Sequence, residues 1–188
     1  MKQLLLLSSC FLLLVATVYA EPVVEMKTNL GTIQIELNAE RAPLTVKNFL
    51  EYVDQEFYDG TIYHRVIGNF MIQGGGFDQY EKRKEPLEPI KNEANNGLKN
   101  QKGSIAMART GVVDSATSQF FINLVDNDSL NHRGTSSRAF GYAVFGQVVS
   151  GMDVVEKIGQ VKTIAKSSLF RNYPETQVII QSVRRVEQ

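Results

Sequence analysis

Residues 63–75 have the sequence YHRVIGNFMIQGG, and they span two of the short β-like runs of this chain. The runs, 62–66 and 70–73, are separated by a loop with glycine and asparagine, a composition typical of turns. Successive side chains of a strand point to opposite faces, so His64 and Arg65 are expected on opposite sides of the first run. We interpret His64 as a structural residue. An isolated arginine on a strand is normally a solvated charge, so Arg65 needs further support before any role is given to it.

Similar apolar runs lie on both sides of this stretch. Apolar and polar residues alternate at 24–28 and 33–37 around the sequence Asn-Leu-Gly, which predicts a β-hairpin with one apolar and one hydrated face. Further strands are predicted at 104–108, 119–124, 142–148 and 178–186. The longest loop, 74–102, carries two prolines and many charges, and we expect irregular surface chain there.

Two helices are predicted. Pro43 suits a first helical turn, and four apolar residues recur after it at helical spacing up to an end near Phe57. A short second helix is predicted over 151–158. Many strands, few helices and no βαβ rhythm indicate a mainly β protein, a closed antiparallel barrel with helices outside it or at its ends. The insertion 133–139 is predicted to be a loop without a role, and His132 to be solvated.

The first twenty residues are predicted to be a secretory signal peptide. Lys2 is the only charge there, an apolar run spans 4–18, and small residues precede cleavage after Ala20. A single domain over 21–188 is then expected, with no stable membrane insertion after cleavage and with a bacterial periplasmic location. A membrane anchor is less favoured because the run is short for a span. The sequence also leaves open a secretory lumen and a lipoprotein modified at Cys10, the chain's one cysteine.

Composition and motifs narrow the function classes. The 188 residues carry 20 basic and 20 acidic side chains, so the zero net charge does not favour a nucleic-acid partner. The two histidines, His64 and His132, lack the spacing of a metal site. No zinc-protease, nucleophile-elbow or P-loop motif is present. The glycines at 74–76 are not followed by a helix signal, so we interpret them as residues that turn or interrupt the backbone and not as a phosphate-binding loop.

Three sequence blocks resemble the cyclophilin family of peptidyl-prolyl cis–trans isomerases. They are 63–75, the segment from 104–109 to 118–122, and 140–146, and the resemblance extends from about residue 24 to 186. It implies an eight-stranded antiparallel barrel capped by two helices. It also implies a peptide groove on the outer face of the barrel, lined by the three blocks.

The resemblance also assigns roles to individual residues. Arg65 matches the family's catalytic arginine, and Gln73 matches a polar residue beside it. The apolar pocket for the proline ring corresponds to Phe70, Met71 and Phe121. Residues expected to flank the substrate backbone or form the rim are Ala108, Arg109, Thr110, Gln119, Leu130 and Tyr142, the last standing where many members have histidine.

The chemistry of the reaction agrees with these residue types. Rotation about a peptide bond has a barrier of about 18–20 kcal/mol because the C–N bond is partly double. In the twisted state the proline nitrogen regains a lone pair, which an arginine N–H can approach as a donor. No covalent bond is made or broken, so neither metal nor cofactor is implied. The expected partners are proline-containing unfolded or extended polypeptides, bound by a monomer.

Two positions depart from the family pattern. Ser129 stands where the better-known members have a tryptophan that contributes to cyclosporin binding, so weak cyclosporin inhibition is expected. Arg109 stands where many members have asparagine, which is expected to alter the preference for the residue before proline. Two further functions remain open: a peptide-binding module or holdase that does not depend on turnover, and a ligand-carrying barrel of the lipocalin type.

Overall fold

The computed structural model describes residues 21–187. The predicted signal peptide lies outside the described residues and stays a prediction. The strands are β1 (Val23–Thr28), β2 (Gly31–Leu37), β3 (Thr61–Ile67), β4 (Met71–Asp78), β5 (Ser104–Met107), β6 (Phe120–Asn123), β7 (Val144–Ser150), β8 (Thr163–Ile164), β9 (Tyr173–Pro174) and β10 (Ile179–Arg185). The helices are α1 (Pro43–Asp54), α2 (Ser137–Phe140) and α3 (Met152–Gly159).

Eight of these strands close into an antiparallel barrel in the order β1-β10-β3-β4-β6-β5-β7-β2. The predicted hairpin is the β1–β2 pair, in which Met26 lies opposite Ile33. The eight-stranded barrel predicted through the family resemblance is therefore confirmed. Strands β8 and β9 form a separate two-stranded sheet.

The barrel interior is filled by side chains. Phe49 of α1 reaches the aromatic residues of the core: its ring centroid lies 5.1 Å from that of Phe145 and 5.8 Å from that of Phe120. The alternating residues Ile33 and Ile35 of β2 are completely buried in the same cluster. A ligand-carrying barrel needs a hollow interior, so this packing argues against a function of the lipocalin type.

The two predicted helices pack on the barrel through their apolar faces. Helix α1 buries Phe49 and Val53 and ends at Asp54, three residues before the predicted end. Helix α3 buries Val155 and Ile158. Gly151 precedes α3 with φ 80°, and a Cβ there would collide with the Thr32 carbonyl oxygen, so glycine is required at this junction.

The structure corrects two loop predictions. The segment predicted as irregular from residue 74 begins with five residues of β4, because the glycines let the strand pass closely over the core: Gly75, with φ 80°, lies against the rings of Phe120 and Tyr58. The predicted loop 133–139 contains most of the one-turn helix α2, whose N-cap Ser136 accepts a hydrogen bond from the Ala139 backbone N–H.

The prediction that His132 is solvated was wrong. Its ring is half-buried against Phe140, with 5.0 Å between the ring centroids, and Nδ1 donates to the Phe140 carbonyl oxygen at 2.8 Å. Within residues 21–187, no helix has the length and apolarity that crossing a membrane requires.

Candidate functional site

A small cavity of about 120 Å³ lies on the outer face of the barrel, over strands β3, β4, β5 and β6. It brings together nine of the eleven predicted site residues. They are Arg65, Phe70, Met71, Gln73, Ala108, Arg109, Phe121, Leu130 and Tyr142.

Strand register places the central three of these side chains side by side. Arg65 of β3 pairs with Gln73 of β4, and Gln73 pairs in turn with Phe121 of β6. Residues directly opposite each other in an antiparallel pair share a face, so the arginine, the amide and the ring form a row across three strands. Residues from two distant sequence blocks are thereby joined in one site.

The half-buried Arg65 is held at one end of this row. Its Nη1 donates to Gln73 Oε1 at 3.1 Å and lies 3.9 Å from Met71 Sδ. Gln73 Nε2 donates in turn to Gln119 Oε1 at 3.0 Å. Burial lowers the pKa of the Arg65 guanidinium from its ordinary value and Tyr142 opposes this, but the group stays charged in a protein. Arg65 is therefore a fixed cation with donors directed along the cavity.

The opposite wall of the cavity is apolar. Met71 and Phe121 are almost fully buried, and Phe70, Leu130 and Tyr142 are half-buried around them. The ring of Phe121 meets that of Tyr142 edge to face, with centroids 5.6 Å apart and an interplanar angle of 83°. A guanidinium facing such a wall suits a ligand that combines an apolar ring with a hydrogen-bond acceptor.

Arg109 is anchored on the rim by backbone carbonyl groups. Its Nε donates to Gly141 O at 2.9 Å, Nη1 to Thr110 O at 2.9 Å and Nη2 to Ser137 O at 2.7 Å. Its guanidinium carbon lies 4.9 Å from the centroid of the Tyr142 ring, within the range of a cation–π contact. Ser137 belongs to α2, so the insertion to which no role was given contributes directly to the position of this arginine.

Two predicted site residues do not line the cavity. Thr110 is exposed, and its hydroxyl pairs with that of Ser115 at 2.8 Å in the loop after β5. Gln119 lies behind Gln73 and covers Gly76, where an added Cβ would come within 2.5 Å of Gln119 Nε2. Gln119 therefore supports the site from behind, through its side chain to Gln73 and through its carbonyl oxygen, which accepts from the Ala108 backbone N–H at 2.9 Å.

Sequence reasoning missed a set of buried asparagines behind the apolar wall. Asn127 Nδ2 donates to the Phe70 carbonyl oxygen at 2.8 Å and to Asn123 Oδ1 at 2.7 Å. Asn123 donates to Asn100 Oδ1 at 3.2 Å, and Asn100 donates to Asn131 Oδ1 at 3.2 Å. The available sequence signal was the run of three asparagines at intervals of four residues, Asn123, Asn127 and Asn131, after an apolar strand. The network fixes the loop that carries Leu130.

The part of β3 next to Arg65 is closed. His64 is 6% exposed, its ring centroid is 4.8 Å from that of Phe77, and Phe170 lies beyond. Among the described residues its Nδ1 has no hydrogen-bond partner. Burial, with the Arg65 charge adding to it and a hydrogen bond at Ile62 opposing it, lowers the pKa of His64 to about 4. The side chain is neutral at neutral pH, and its burial confirms the interpretation of His64 as structural. The expected alternation of His64 and Arg65 was wrong, because the register of β3 shifts between Tyr63 and Arg65, and Tyr63 and Val66 both pack in the barrel core.

Two further features bear on ligands. Across residues 21–187, no group of three or more histidine, cysteine, aspartate or glutamate side chains is arranged to hold a metal ion. Ser129, predicted to stand where the family has its rim tryptophan, is exposed on a 3₁₀ turn over Asp128–Leu130.

Comparisons with known proteins agree with this geometry. Residues 23–185 match the family described as cyclophilin type peptidyl-prolyl cis-trans isomerase/CLD. The chain is 56% identical over 160 residues to peptidyl-prolyl cis-trans isomerase B of Escherichia coli, covering 85% of this chain and 97% of that protein. It is also 56% identical over 173 residues to a peptidyl-prolyl cis-trans isomerase of Acinetobacter baylyi, covering 92% and 90% of the two chains.

A solved structure is similar to the whole barrel. It is a cyclophilin type peptidyl-prolyl cis-trans isomerase from Cryptosporidium parvum, crystallised in the presence of the dipeptide Ala-Pro. The TM-score is 0.72 at 26% sequence identity, and the match covers 88% of this chain and 99% of that one.

Proposed function

Because this chain belongs to the cyclophilin-type peptidyl-prolyl cis–trans isomerases, we propose that it is an exported member that acts on proline bonds of folding polypeptides and that Arg65 stabilises the rotating bond. The observation that carries the proposal is the position of the Arg65 guanidinium. It is fixed by Gln73 at 3.1 Å and faces a cavity walled by Met71 and Phe121.

The cavity walls suit a proline ring. The space of about 120 Å³ is small, and its floor is formed by buried apolar side chains, so a compact five-membered ring can exchange water contacts for apolar ones. Once the ring is held by Phe70, Met71 and Phe121, rotation is left to the chain on the other side of the amide.

The arginine acts on the electronic change that accompanies rotation. The planar amide nitrogen shares its lone pair with the carbonyl group, and twisting the bond returns that pair to nitrogen. An N–H of Arg65 can donate to the pyramidal nitrogen but not to the planar one. The interaction therefore favours the twisted state over either ground state, which is the requirement for catalysis by differential binding.

The neighbouring polar groups hold the arginine and the substrate chain. Gln73 fixes Arg65 and is itself fixed by Gln119, so the donor needs little reorganisation when the bond twists. Ala108 and Arg109 form the adjoining edge of the cavity, where the backbone of an extended substrate is expected to lie. We propose unfolded or extended proline-containing segments as partners, because a surface cavity of this size admits a chain that passes across it.

Kinetics of Arg65→Ala test the catalytic role. Removing one preorganised donor typically costs about 10²–10³ in kcat, so we expect a fall of about 100-fold or more in kcat/KM on a neutral proline peptide in a protease-coupled assay. Peptide affinity, measured separately by titration calorimetry, is expected to change little because the apolar wall remains. Arg41→Ala, which removes an exposed arginine before α1, is the matched control.

The same data separate an isomerase from a holdase. Turnover that persists undiminished in Arg65→Ala contradicts the catalytic proposal, and a wild-type protein that binds proline peptides without turnover supports the holdase.

Two subsidiary proposals, on signal-peptide cleavage and on cyclosporin binding, are tested by separate measurements. The intact mass of the exported protein is expected to correspond to an N-terminus at Glu21, and inhibition by cyclosporin is expected to be weak because Ser129 offers no ring.

A further inference from the structure

Arg109 gives the cavity a second positive charge. Arg65 and Arg109 both line it, and none of its nine lining residues is acidic. Within residues 21–187, the ion pairs involve other basic side chains, such as Lys102 and Arg185. The positive charge of this small site is therefore not neutralised by a carboxylate of the described chain.

The Arg109 guanidinium is also oriented. Arginine has five N–H donors in a planar fork, and three are directed to the carbonyl oxygens of Gly141, Thr110 and Ser137. Two N–H groups have no partner in the described part of the chain. The ring of Tyr142 supports the plane of the fork at 4.9 Å. A cation fixed in this way loses little side-chain entropy when it binds an anion.

A third arginine extends the same rim. Arg133 Nη2 donates to the Ser129 carbonyl oxygen at 3.3 Å, next to Leu130 of the cavity wall. Like Arg109, it depends on the segment from Asp128 to Phe140 for its position. Backbone carbonyls hold both side chains without neutralising their charges.

We propose that Arg109 makes this isomerase selective for prolyl segments with an acidic side chain next to the proline. This inference rests on the proposed function, because it assumes that the proline ring occupies the Phe121 wall. With the ring there, a glutamate or aspartate beside it lies at the rim, where the two free N–H groups of Arg109 can donate to its carboxylate. Charge-assisted hydrogen bonds of this kind are stronger than neutral ones.

The test compares paired peptides that differ only in charge. One pair has Glu or Gln immediately before proline, and a second pair has Glu or Gln immediately after it. The measured quantity is the Glu/Gln ratio of kcat/KM at pH 7.5 and low ionic strength. Partly exposed ion pairs are worth up to about 1 kcal/mol, so we expect a ratio of about three to five in at least one pair. That ratio should approach one in about 1 M salt, where the Debye length is about 3 Å.

Three variants assign the effect to Arg109. Arg109→Gln should bring the ratio close to one, whereas Arg109→Lys, which keeps the charge but not the fork, should retain part of it. Arg41→Gln removes the same charge from a residue that does not line the cavity and should leave the ratio unchanged. Since the ratio is taken within each protein, a general loss of activity or folding in a variant cancels.

The outcomes are distinguishable. A wild-type ratio near one in both pairs overturns the inference while leaving isomerisation of the neutral peptides intact. A ratio that survives in Arg109→Gln, or that falls equally in Arg41→Gln, also overturns it. Failure of the proposed function would instead show as no turnover of the Gln peptides by the wild-type protein.

Discussion

His64 and Arg65 are adjacent in sequence but lie in contrasting environments on β3. Arg65 is half-buried, charged and hydrogen-bonded at an open cavity. His64 is 6% exposed, lies between Phe77 and Phe170, and has an Nδ1 without a partner among the described residues. The register of β3 against β4 shifts between Tyr63 and Arg65, so strict strand alternation is broken here, and the two side chains are separated by what covers them. The comparison shows how one strand can present a cation at an open cavity while the preceding residue stays neutral in an apolar environment.

The largest expected effect is on the free energy of unfolding, through the protonation of His64 at low pH. The pKa of His64 is about 4 in the folded chain, against 6.5 for an unburied histidine. Between these values the unfolded chain binds a proton that the folded chain does not, so stability falls as pH is lowered. From pH 7.5 to 4 the free energy of unfolding should decrease by about 3 kcal/mol through this residue. Urea denaturation at a series of pH values measures the change.

His64→Leu and His64→Gln isolate that contribution. Asp54 and Glu81 also contribute to the loss of protein stability in acid, because hydrogen bonds to Arg185 and Lys166 lower the pKa values of their carboxyl groups. Their contributions are the same in the His64 variants, so they cancel when the stability of a variant is subtracted from that of the wild type. If the slopes of stability against pH are the same with and without His64, the histidine is not the neutral buried group described.

The second-largest effect is expected on catalysis, from a conservative substitution of Arg65. Arg65→Lys keeps the charge but replaces a planar fork with a point charge on a flexible stem. We expect kcat/KM on a neutral proline peptide to fall about 30-fold, equal to about 2 kcal/mol. Stability at pH 7.5 should stay within about 0.5 kcal/mol of the wild type, as for most surface substitutions. Wild-type kinetics in Arg65→Lys would mean that charge suffices and the fixed fork is unnecessary.

Part of this comparison could be predicted from the sequence, because the short apolar runs of β3 and β4 are recognisable locally. The block 63–75 places Arg65 and Gln73 on neighbouring strands, but the register that pairs them includes a shift between Tyr63 and Arg65 that the apolar pattern does not predict. The filled barrel and its two longer helices follow from the same kind of periodicity. The assignment of residues to the proposed proline pocket depended on the family resemblance, since Phe121 taken alone is an ordinary core residue.

The features that the sequence did not predict depend mainly on contacts between distant parts of the chain, which hydrophobic periodicity does not encode. The anchoring of Arg109 uses backbone carbonyls at Gly141 and Ser137, which lie far along the chain beyond β6. Helix α2 has a single turn, too short for a helical repeat to be recognised. Glycine-rich sequence normally indicates a turn, so the extension of β4 through Gly75 was also missed.

The smallest effect is expected at Gln73, the amide that fixes Arg65. Gln73→Leu has a similar volume but removes both the acceptor for Arg65 and the donor to Gln119. The cation remains, with more freedom to move, so kcat/KM should fall about fivefold to tenfold, mainly in kcat, as for a single hydrogen bond of about 1–1.5 kcal/mol. Gln181→Leu, an exposed glutamine on β10, is the matched control and should be neutral.

Combining substitutions shows whether Gln73 acts through Arg65. If it does, adding Gln73→Leu to Arg65→Ala should cost little more than Arg65→Ala alone, because the group to be positioned is already missing. Full additivity would instead indicate that Gln73 contacts the substrate independently. That result would enlarge the binding face of β3 and β4 beyond Arg65 and would leave the contrast with His64 unchanged.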